Sequence, residues 1–343
     1  MEMPAFGFDI SDESIKFIEL LPTDRGLKTG RYGEKKIPAG VVELGKIKDP
    51  VKLESILLAL KAEQGIRSVR VSILESQIYL FRLKLAKEGI DSVREAIELS
   101  LEEHIPIPAP EAIFDYDVFS ETESDLELQV AAIQQNITDQ YLSVFNNAGI
   151  NVHSFELEAQ AIARSIVKQG DTETYMIVDF GEKRTGIFIV SQGIVLFTST
   201  LDVGGAVLSS MIQKHFKVTY EEAETMKKKY GLQRNTVNRE LFSVLLNSVS
   251  ILRDELAKHF LYWHTYENED GIRNPPIKKI IMCGGDANLI GLTDYLSVSM
   301  KTQVEIGNVW VNILDTEEHI PEIRFKKALS YASALGLALG DFE

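Results

Sequence analysis

The sequence of 343 residues contains a single cysteine, Cys283, which excludes an internal disulfide and fits a reducing compartment. Basic residues are also scarce, since 36 Lys and Arg stand against 51 Asp and Glu, a formal net charge of −15. General nucleic-acid surfaces and basic peripheral membrane proteins need clustered Lys and Arg, so both classes are disfavoured. No apolar stretch is long enough to span a bilayer, and residues 1–4 lack the features of a secretory signal. We therefore expect a cytoplasmic protein.

The sequence also lacks the motifs of common metal and hydrolase sites. Its six histidines are scattered, and none stands at metal-ligand spacing from a second ligand. No Ser-His-Asp or Cys-His arrangement can be read from it. We therefore expect surface or packing roles for the histidines and a buried, apolar role for Cys283.

Length and pattern predict a two-domain α/β protein. The chain is too long for one ordinary core, and its composition of 45% hydrophobic and 25% charged residues is that of a globular protein. Strand-like and helix-like spacings alternate along it. We place one domain at 1–170 together with a C-terminal helix at 322–343, where the small apolar residues of 328–339 predict a buried helix. The other domain is placed at 171–321, and a small α/β insert in the first domain at about 83–156.

A hairpin-like element occurs twice in the chain. Residues 6–20 and 176–190 each contain an apolar strand, an acidic residue near its end, a polar turn and a second strand. The two acidic residues, Asp9 and Asp179, lie 170 positions apart. A polar turn presents backbone N–H groups to an anion, and a carboxylate at the strand end can hold a hydrated Mg²⁺ beside it. Because both positions are equivalent in a repeat, we rank metal binding there above simple capping of a turn.

A third strand, at 280–283, ends in Gly284 and Gly285, which would allow a base or ribose to approach closely. Together the three elements predict a clamp around a metal-bound, phosphorylated ligand. The first turn nevertheless places the carboxylates of Asp12 and Glu13 where an anion would sit. In the second turn, Lys183 and Arg184 can offset these acids. The residues alone leave both weakened and lost phosphate binding open.

These segments, taken in order, resemble the phosphate-1, phosphate-2, connecting and adenosine motifs of the actin-like ATPase superfamily. The matching residues are Asp9, Ile10, Ser11, Ser14, Ile15, Lys16, Asp179, Phe180, Gly181, Thr185, Gly204, Gly205, Gly284, Gly285, Asp286 and Ala287. Residues 94–97, 104–108, 114–118, 220–224 and 334–339 resemble the PilM-like type IV pilus assembly proteins within that superfamily. The resemblance covers nearly the whole chain, and it implies an actin-like two-domain ATPase fold with a small α/β insert in the first domain.

The resemblance also implies ligands and partners. Proteins of this family bind ATP with Mg²⁺ between two domains, and their insert grips the cytoplasmic tail of a PilN-like inner-membrane protein. That would place this chain in the cytoplasm, at the inner membrane through its partners. Contacts with pilus motor or platform proteins and self-association are compatible with this role, and nucleic acid is not expected. By motif, the metal-side residues are Asp9 and Asp179. The nucleotide-side residues are Ser11, Asp12, Glu13, Ser14, Lys16, Gly181, Glu182, Lys183, Arg184, Thr185, Gly204, Gly205, Glu224, Lys227, Gly284, Gly285, Asp286 and Ala287.

Hydrolysis would need a group that positions a water opposite the terminal phosphate. Glu158 and Gln160 are the candidates, at the start of the helix before the second hairpin, although ordinary helix N-terminal polarity is the favoured explanation of both residues. We expect at most a weak ATPase, because similarity of fold does not transmit activity.

Other functions remain open. An FtsA-like, filament-forming actin homologue commonly carries an amphipathic membrane helix at its terminus, and the acidic ending here offers none. A sugar kinase needs a catalytic base in a substrate pocket, where this chain has the insert. A nucleotide-free scaffold of a type II secretion-like system stays possible because of Asp12 and Glu13. For the scaffold, an exposed strand edge at 112–119 or 127–133 would accept an extended peptide.

Overall fold

The computed structural model describes residues 4–24, 26–89, 91–233, 238–267, 271, 273–313 and 321–342. The strands in these ranges are β1 (Phe6–Ile10), β2 (Ser14–Thr23), β3 (Gly26–Lys36), β4 (Val42–Glu43), β5 (Lys46–Ile47), β6 (Ser68–Ile73), β7 (Ile78–Ala86), β8 (Ala112–Glu121), β9 (Asp125–Gln134), β10 (Asn151–Leu157), β11 (Thr174–Phe180), β12 (Thr185–Ser191), β13 (Ile194–Leu201), β14 (Lys279–Cys283) and β15 (Val304–Ile306).

The helices in the same ranges are α1 (Pro50–Gln64), α2 (Val93–His104), α3 (Gln135–Asn147), α4 (Glu158–Ile166), α5 (Gly205–Phe216), α6 (Tyr220–Tyr230), α7 (Arg239–Thr265), α8 (Leu292–Met300), α9 (Phe325–Ala328) and α10 (Ala332–Leu339). Short 3₁₀ turns lie at Glu75–Gln77, Ala109–Glu111 and Leu329–Tyr331. Across the described ranges, no helix combines the length and the apolar character that crossing a membrane requires.

Two sheets of the described chain share one strand pattern, which confirms the repeat seen in the sequence. The first sheet has the order β10-β6-β1-β2-β3, and the second has the order β15-β14-β11-β12-β13. In each sheet the first three strands are parallel and the last three are antiparallel. Asp9 and Asp179 are the penultimate residues of β1 and β11, so they occupy equivalent places. Because ligands bind at the carboxyl ends of such strands, both residues lie at the edge where a site is expected.

Helices α4 and α10 lie between the two sheets. Their buried residues form one apolar cluster with residues of β2 and β11. The packing is close enough to require glycine, since a Cβ on Gly7 of β1 would lie 1.8 Å from the Ala334 carbonyl oxygen. A Cβ on Gly336 of α10 would lie 1.6 Å from the Ala161 carbonyl oxygen of α4. The buried helix predicted at 328–339 is confirmed, although it is divided into α9, a 3₁₀ turn and α10.

The outer faces of the two sheets are covered by other helices. Helices α1 and α3 pack on the first sheet, and α5 to α8 pack on the second. The ends of α1 show why the sequence folds this way. The Asp49 carboxylate accepts a hydrogen bond from the Lys52 N–H at 2.9 Å, Pro50 begins the helix, and Gly65 ends it in the left-handed region with φ 67°.

A third sheet, with the order β7-β9-β8 among the described strands, forms the small α/β unit. Helix α2 covers it through Ile97 and Leu101. This unit spans 78–134, which differs from the expected 83–156. Helix α3 packs in the core of the first sheet and β10 pairs with β6, so 135–156 belongs with that sheet. Strand β9 pairs on both sides, so the expectation of an exposed edge at 127–133 is wrong, whereas β8 at 112–121 is an edge strand.

Candidate ligand-binding site

A cavity of about 890 Å³ lies between the β1–β2 turn (turn 1, residues 11–14) and the β11–β12 turn (turn 2, residues 181–184). The predicted site residues that line it are Asp9, Ser11, Asp12, Glu13, Ser14, Lys16, Glu158, Asp179, Gly181, Glu182, Lys183, Arg184, Glu224, Gly284, Gly285 and Asp286. The predicted residues outside this lining are Gln160, Thr185, Gly204, Gly205, Lys227 and Ala287. The structure thus brings most of the two turns and the two strand-end acids to one cavity.

Asp9 and Asp179 lie at the base of the cavity. Asp9 is buried and accepts hydrogen bonds from the Ser72 hydroxyl at 2.9 Å and the Ser333 hydroxyl at 3.3 Å. Asp179 is half-buried: part of its side chain faces the cavity, and protein encloses the rest. This burial, together with the charge of Asp9, raises the pKa of Asp179 to about 6, against the opposing effect of Lys16. The two acids therefore repel each other, and the cations of Lys16 and, to a smaller extent, Arg184 partly offset this repulsion.

Two further carboxyl groups share the base. Glu75 follows β6, and its Oε1 accepts the Ala159 N–H at 2.9 Å, while burial and the charge of Asp179 raise its pKa to about 7. Burial, followed by the charge of Glu75, raises the pKa of Glu158 well above its usual value. Glu158 was a predicted site residue, but sequence reasoning missed Glu75. The available signal was its position after a strand that runs parallel to β1 and ends at the same edge.

The acids at the base do not form a metal site by themselves. Among the described residues, no group of three or more His, Cys, Asp or Glu side chains is arranged to hold a metal ion. Any Mg²⁺ at Asp9 and Asp179 would therefore depend on ligand oxygens and water to complete its coordination.

Turn 1 uses several of its own backbone N–H groups. The Ser11 N–H donates to the Ser14 carbonyl at 2.9 Å, and the Ser14 N–H donates to the Ser11 hydroxyl at 3.1 Å. The Glu13 N–H also points to the Ser11 hydroxyl, at 3.4 Å. The expectation that this turn offers a run of free N–H groups to an anion is therefore wrong in part, because the Ser11 side chain accepts two of them.

Turn 2 is supported by the glycines that follow β13. The Gly205 N–H donates to the Gly181 carbonyl at 3.0 Å, and the Ala206 N–H donates to the Glu182 carbonyl at 2.8 Å. A Cβ on Gly204 would lie 2.4 Å from the Glu182 carbonyl oxygen, so only glycine allows this approach. The first N–H groups of α5 thus bind the backbone of turn 2, and Gly204 and Gly205 position that turn.

Thr185, Ala287 and Gln160 also lie behind the cavity wall. The Thr185 hydroxyl donates to the Val203 carbonyl at 2.5 Å, and Ala287 is buried in the core of the second sheet. The Gln160 amide nitrogen donates to the Gly193 carbonyl at 2.8 Å, and its oxygen accepts the Val195 N–H at 3.1 Å. Gln160 thus joins α4 to the β12–β13 turn, and its side-chain amide is engaged there rather than in the lining of the cavity.

Two ion pairs cross the cavity between the turns. The Asp12 Oδ1 lies 3.3 Å from the Arg184 Nη2, and the Glu13 Oε1 lies 3.0 Å from the Lys183 Nζ. Glu182 of turn 2 lies near the Glu13 carboxyl of turn 1, and burial together with this carboxyl raises the pKa of Glu182. The expected offset of the turn 1 acids by the turn 2 cations is confirmed.

On the opposite side of the cavity, Lys227 is 1% exposed and is held by three acceptors. Its Nζ lies 2.6 Å from the Glu224 Oε1, 2.7 Å from the Asp286 Oδ1 and 3.0 Å from the Gly205 carbonyl oxygen. Burial opposes ionisation of Glu224, yet hydrogen bonds from Lys227 and other donors outweigh it and lower the pKa to about 2. Lys227 thus ties α6 to Asp286 and the glycine turn, and the implied contact with a ribose or base does not fit its position.

The glycines after β14 differ from one another in surroundings. Gly284 has φ +90°, where other residues are strained, and a Cβ there would lie 2.4 Å from the Asp179 Oδ1. A Cβ on Gly285 would meet nothing closer than the Ser330 Cβ at 3.8 Å, so this backbone faces open space. By contrast, the Asp286 carboxyl lies directly against Gly205.

Comparisons with known proteins agree with this geometry. A family model described as type IV pilus assembly protein PilM matches residues 7–342. In the solved PilM-PilN type IV pilus biogenesis complex, a chain is 19% identical with a TM-score of 0.80, and 100% of each chain is covered. MreB5 of Spiroplasma citri bound to ADP is 14% identical with a TM-score of 0.54, covering 90% of this chain and 93% of that one. An archaeal actin homolog is 11% identical with a TM-score of 0.50, covering 98% of each chain. The predicted actin-like fold is confirmed.

Replacing Lys227 with methionine should destabilise the fold strongly. The change leaves the Glu224 and Asp286 carboxylates without their shared cation, at a cost of about 3 kcal/mol in the free energy of unfolding. Lys228 is the matched control, because its ammonium lies 2.9 Å from Glu224 but its side chain is 72% exposed, so Lys228→Met should cost less than about 0.5 kcal/mol. Urea unfolding followed by the fluorescence of the two tryptophans, Trp263 and Trp310, measures both. Equal costs in the two variants would contradict a structural role for Lys227.

The stability of the wild type should fall as pH rises from about 4.5 to about 7. A raised pKa means that folded Glu75 holds its proton more tightly than the unfolded chain does, so this stabilisation is complete below the usual pKa of 4.5 and is lost through about 7. Glu75→Gln keeps the acceptor for the Ala159 N–H and cannot ionise. Its stability relative to wild type should therefore increase by about 3 kcal/mol between pH 4.5 and pH 8. The exposed Glu98→Gln is the control, and an identical pH profile for wild type and Glu75→Gln would refute the argument.

Proposed function

Because the chain belongs to the type IV pilus assembly protein PilM family, we propose that it is a cytoplasmic, actin-like, nucleotide-binding scaffold of the pilus inner-membrane platform. The observation that carries the proposal is the duplicated sheet, which brings Asp9 and Asp179 from equivalent strand ends to one cavity. We propose two domains around that cavity, built on the first and second sheets, with the third sheet at 78–134 as the insert of the first.

The proposed nucleotide is ATP with Mg²⁺, held between turn 1 and turn 2. A cavity of about 890 Å³ has room for such a ligand. The similarity in fold between this chain and MreB5, which was solved with ADP bound, supports this class of ligand. On the adenosine side, the open space over Gly285 fits a flat base or ribose. On the phosphate side, Lys183 and Arg184 are paired with Glu13 and Asp12, so a phosphate chain fits only when these pairs separate.

The proposed partner is the cytoplasmic tail of a PilN-like inner-membrane protein, which would hold the scaffold at the membrane. The similarity to a chain from a PilM-PilN complex supports this partner. Edge strand β8 offers a surface for it, since Ile113 and Val118 are 42% and 47% exposed. The exposed Asp115 and Asp117 add negative charge beside them. An extended peptide added to this edge would gain main-chain hydrogen bonds, and its side chains would lie alternately on the face of Ile113 and on the opposite face, which carries Val118.

A nucleotide-free scaffold is the second candidate. The two ion pairs across the cavity favour it, because they already satisfy the cations that a phosphate chain would need. Binding measurements distinguish the two candidates directly.

Replacing either strand-end acid should weaken binding of Mg-ATP. Asp9→Asn and Asp179→Asn each remove a carboxylate from the metal side, so we expect the affinity to fall by about tenfold or more. Asp139 on α3 is exposed and lies away from the cavity, so Asp139→Asn should bind as wild type does. Calorimetry on the four proteins measures this. Unchanged binding in both cavity variants would exclude the proposed metal side, and no binding by folded wild type would favour the nucleotide-free scaffold.

Removing the insert should abolish capture of the partner without affecting the nucleotide. Leu80 and Ala131 are cross-strand partners, so two glycines can join them in place of residues 81–130. We expect no binding of a synthetic PilN-like tail peptide, whereas the affinity for Mg-ATP should stay within about twofold of wild type. Full peptide binding by the shortened protein would place the partner site elsewhere.

A finer test changes only the edge of the insert. Ile113→Asp with Val118→Asp should weaken peptide binding by about tenfold or more, because both apolar contacts are lost from β8. Leu99→Asp is the control, since Leu99 is 87% exposed in the same unit but lies on α2. An equal loss in the control would argue against the β8 edge.

A further inference from the structure

We propose that Asp12 and Glu13 are internal competitors for the phosphate chain. By pairing with Arg184 and Lys183 they hold turn 1 and turn 2 together when no ligand is bound, and a metal-bound polyphosphate enters only by displacing them. The part of this inference that concerns the polyphosphate rests on the nucleotide-binding function proposed above, whereas the part that concerns closure of the cavity does not.

The connectivity of the pairs gives them this role. Turn 1 joins two strands of the first sheet and turn 2 joins two strands of the second. An ion pair between the turns therefore connects the two halves of the duplicated structure rather than neighbours in one sheet. Movement of the halves apart at this edge requires both pairs to break.

The pair between Asp12 and Arg184, called the inner pair because it is the more buried, is the stronger of the two. The Asp12 and Arg184 side chains are 16% and 15% exposed, so water and salt screen their attraction poorly. The Glu13 and Lys183 side chains are 34% and 50% exposed and contribute less. Separation of the inner pair would leave two partly buried charges without partners. Because this costs free energy, the paired state is favoured.

The charges around the cavity show what a phosphate chain would meet. Of the described residues, eleven acidic and five basic side chains line the cavity. Three of these basic side chains, Lys183, Arg184 and Lys228, already lie against carboxylates. An incoming phosphate must therefore replace a carboxylate at each turn 2 cation. Its apparent affinity is the intrinsic affinity multiplied by the fraction of time that the cations are released, so closed pairs weaken binding.

The first experiment measures closure without any ligand. Because Cys283 is buried and is the one cysteine of the sequence, spin labels can be attached selectively at Val51→Cys on α1 and Val298→Cys on α8, which are 77% and 80% exposed. Adding Glu13→Lys should lengthen and broaden the measured distance, because it places two cations together. Adding Lys183→Glu to that variant should restore the wild-type distance. Both positions are partly exposed, so the fold should tolerate the exchange.

The second experiment measures affinity for two probes, Mg-ATP and Mg-tripolyphosphate. Asp12→Asn with Glu13→Gln keeps the shape of turn 1 and releases both cations, so we expect about tenfold tighter binding of each probe. Asp139→Asn with Glu98→Gln changes the net charge equally at exposed positions outside the cavity, and it should bind as wild type does.

The outcomes separate this inference from the proposed function. A distance that Glu13→Lys changes and the double exchange restores supports the closure, even if no variant binds Mg-ATP, and that result would reject the nucleotide-binding function alone. An unchanged distance in Glu13→Lys combined with Asp12→Asn, which leaves neither pair, would overturn the closure. An equal gain of affinity in the Asp139 and Glu98 control would overturn the competition, because net charge alone would then explain the gain.

Discussion

The repulsion between carboxyl groups that the fold buries together is the constraint on which the site depends. Asp9, Glu75, Glu158 and Asp179 meet where the two sheets approach, and they cannot all be ionised there at low cost. The protein relieves the repulsion with serine hydroxyls at Asp9, with raised pKa values at the other acids, which favour their neutral forms, and with the cations of Lys16 and Arg184. A ligand that brings a metal ion to this point would relieve it further.

The acids on the wall of the cavity are partly balanced by cations that lie beside them. Several acids on the wall have a cation beside them, as in the two pairs across the turns and in the buried Lys227, which lies between Glu224 of its own helix and Asp286. The site therefore contains part of its own countercharge, since five basic side chains accompany eleven acidic ones among the described residues that line the cavity. A sequence with a net charge of −15 can accordingly build a compact cavity rich in acids.

Much of the fold was predictable because it is repeated. The two hairpins, the equivalent acids Asp9 and Asp179 and the buried C-terminal helix follow from apolar patterns that are local in sequence. Strand order is not local, so the sequence does not place Glu75 at the site, and its pattern predicts an edge at 127–133 although β9 is central. Burial is not local either. The helix pattern around Lys227 is compatible with a ligand contact as well as with the buried ion pair that the structure shows. Gly204 and Gly205 allow the backbone of turn 2 to approach closely, where the sequence predicts a ligand.

The close packing of α10 on β1 has a consequence for how the protein is made. The Ala5 N–H beside β1 donates to the Asp341 carboxylate 336 positions later, and Gly7 meets the Ala334 backbone. At a synthesis rate of about 5–20 residues per second, β1 emerges from the ribosome roughly 15 to 65 seconds before the helix that covers it. For that time an apolar strand of the nascent chain has no native partner on one face. The first sheet can therefore complete its packing on this face only after α10 has been synthesised, and until then the apolar face of β1 stays uncovered.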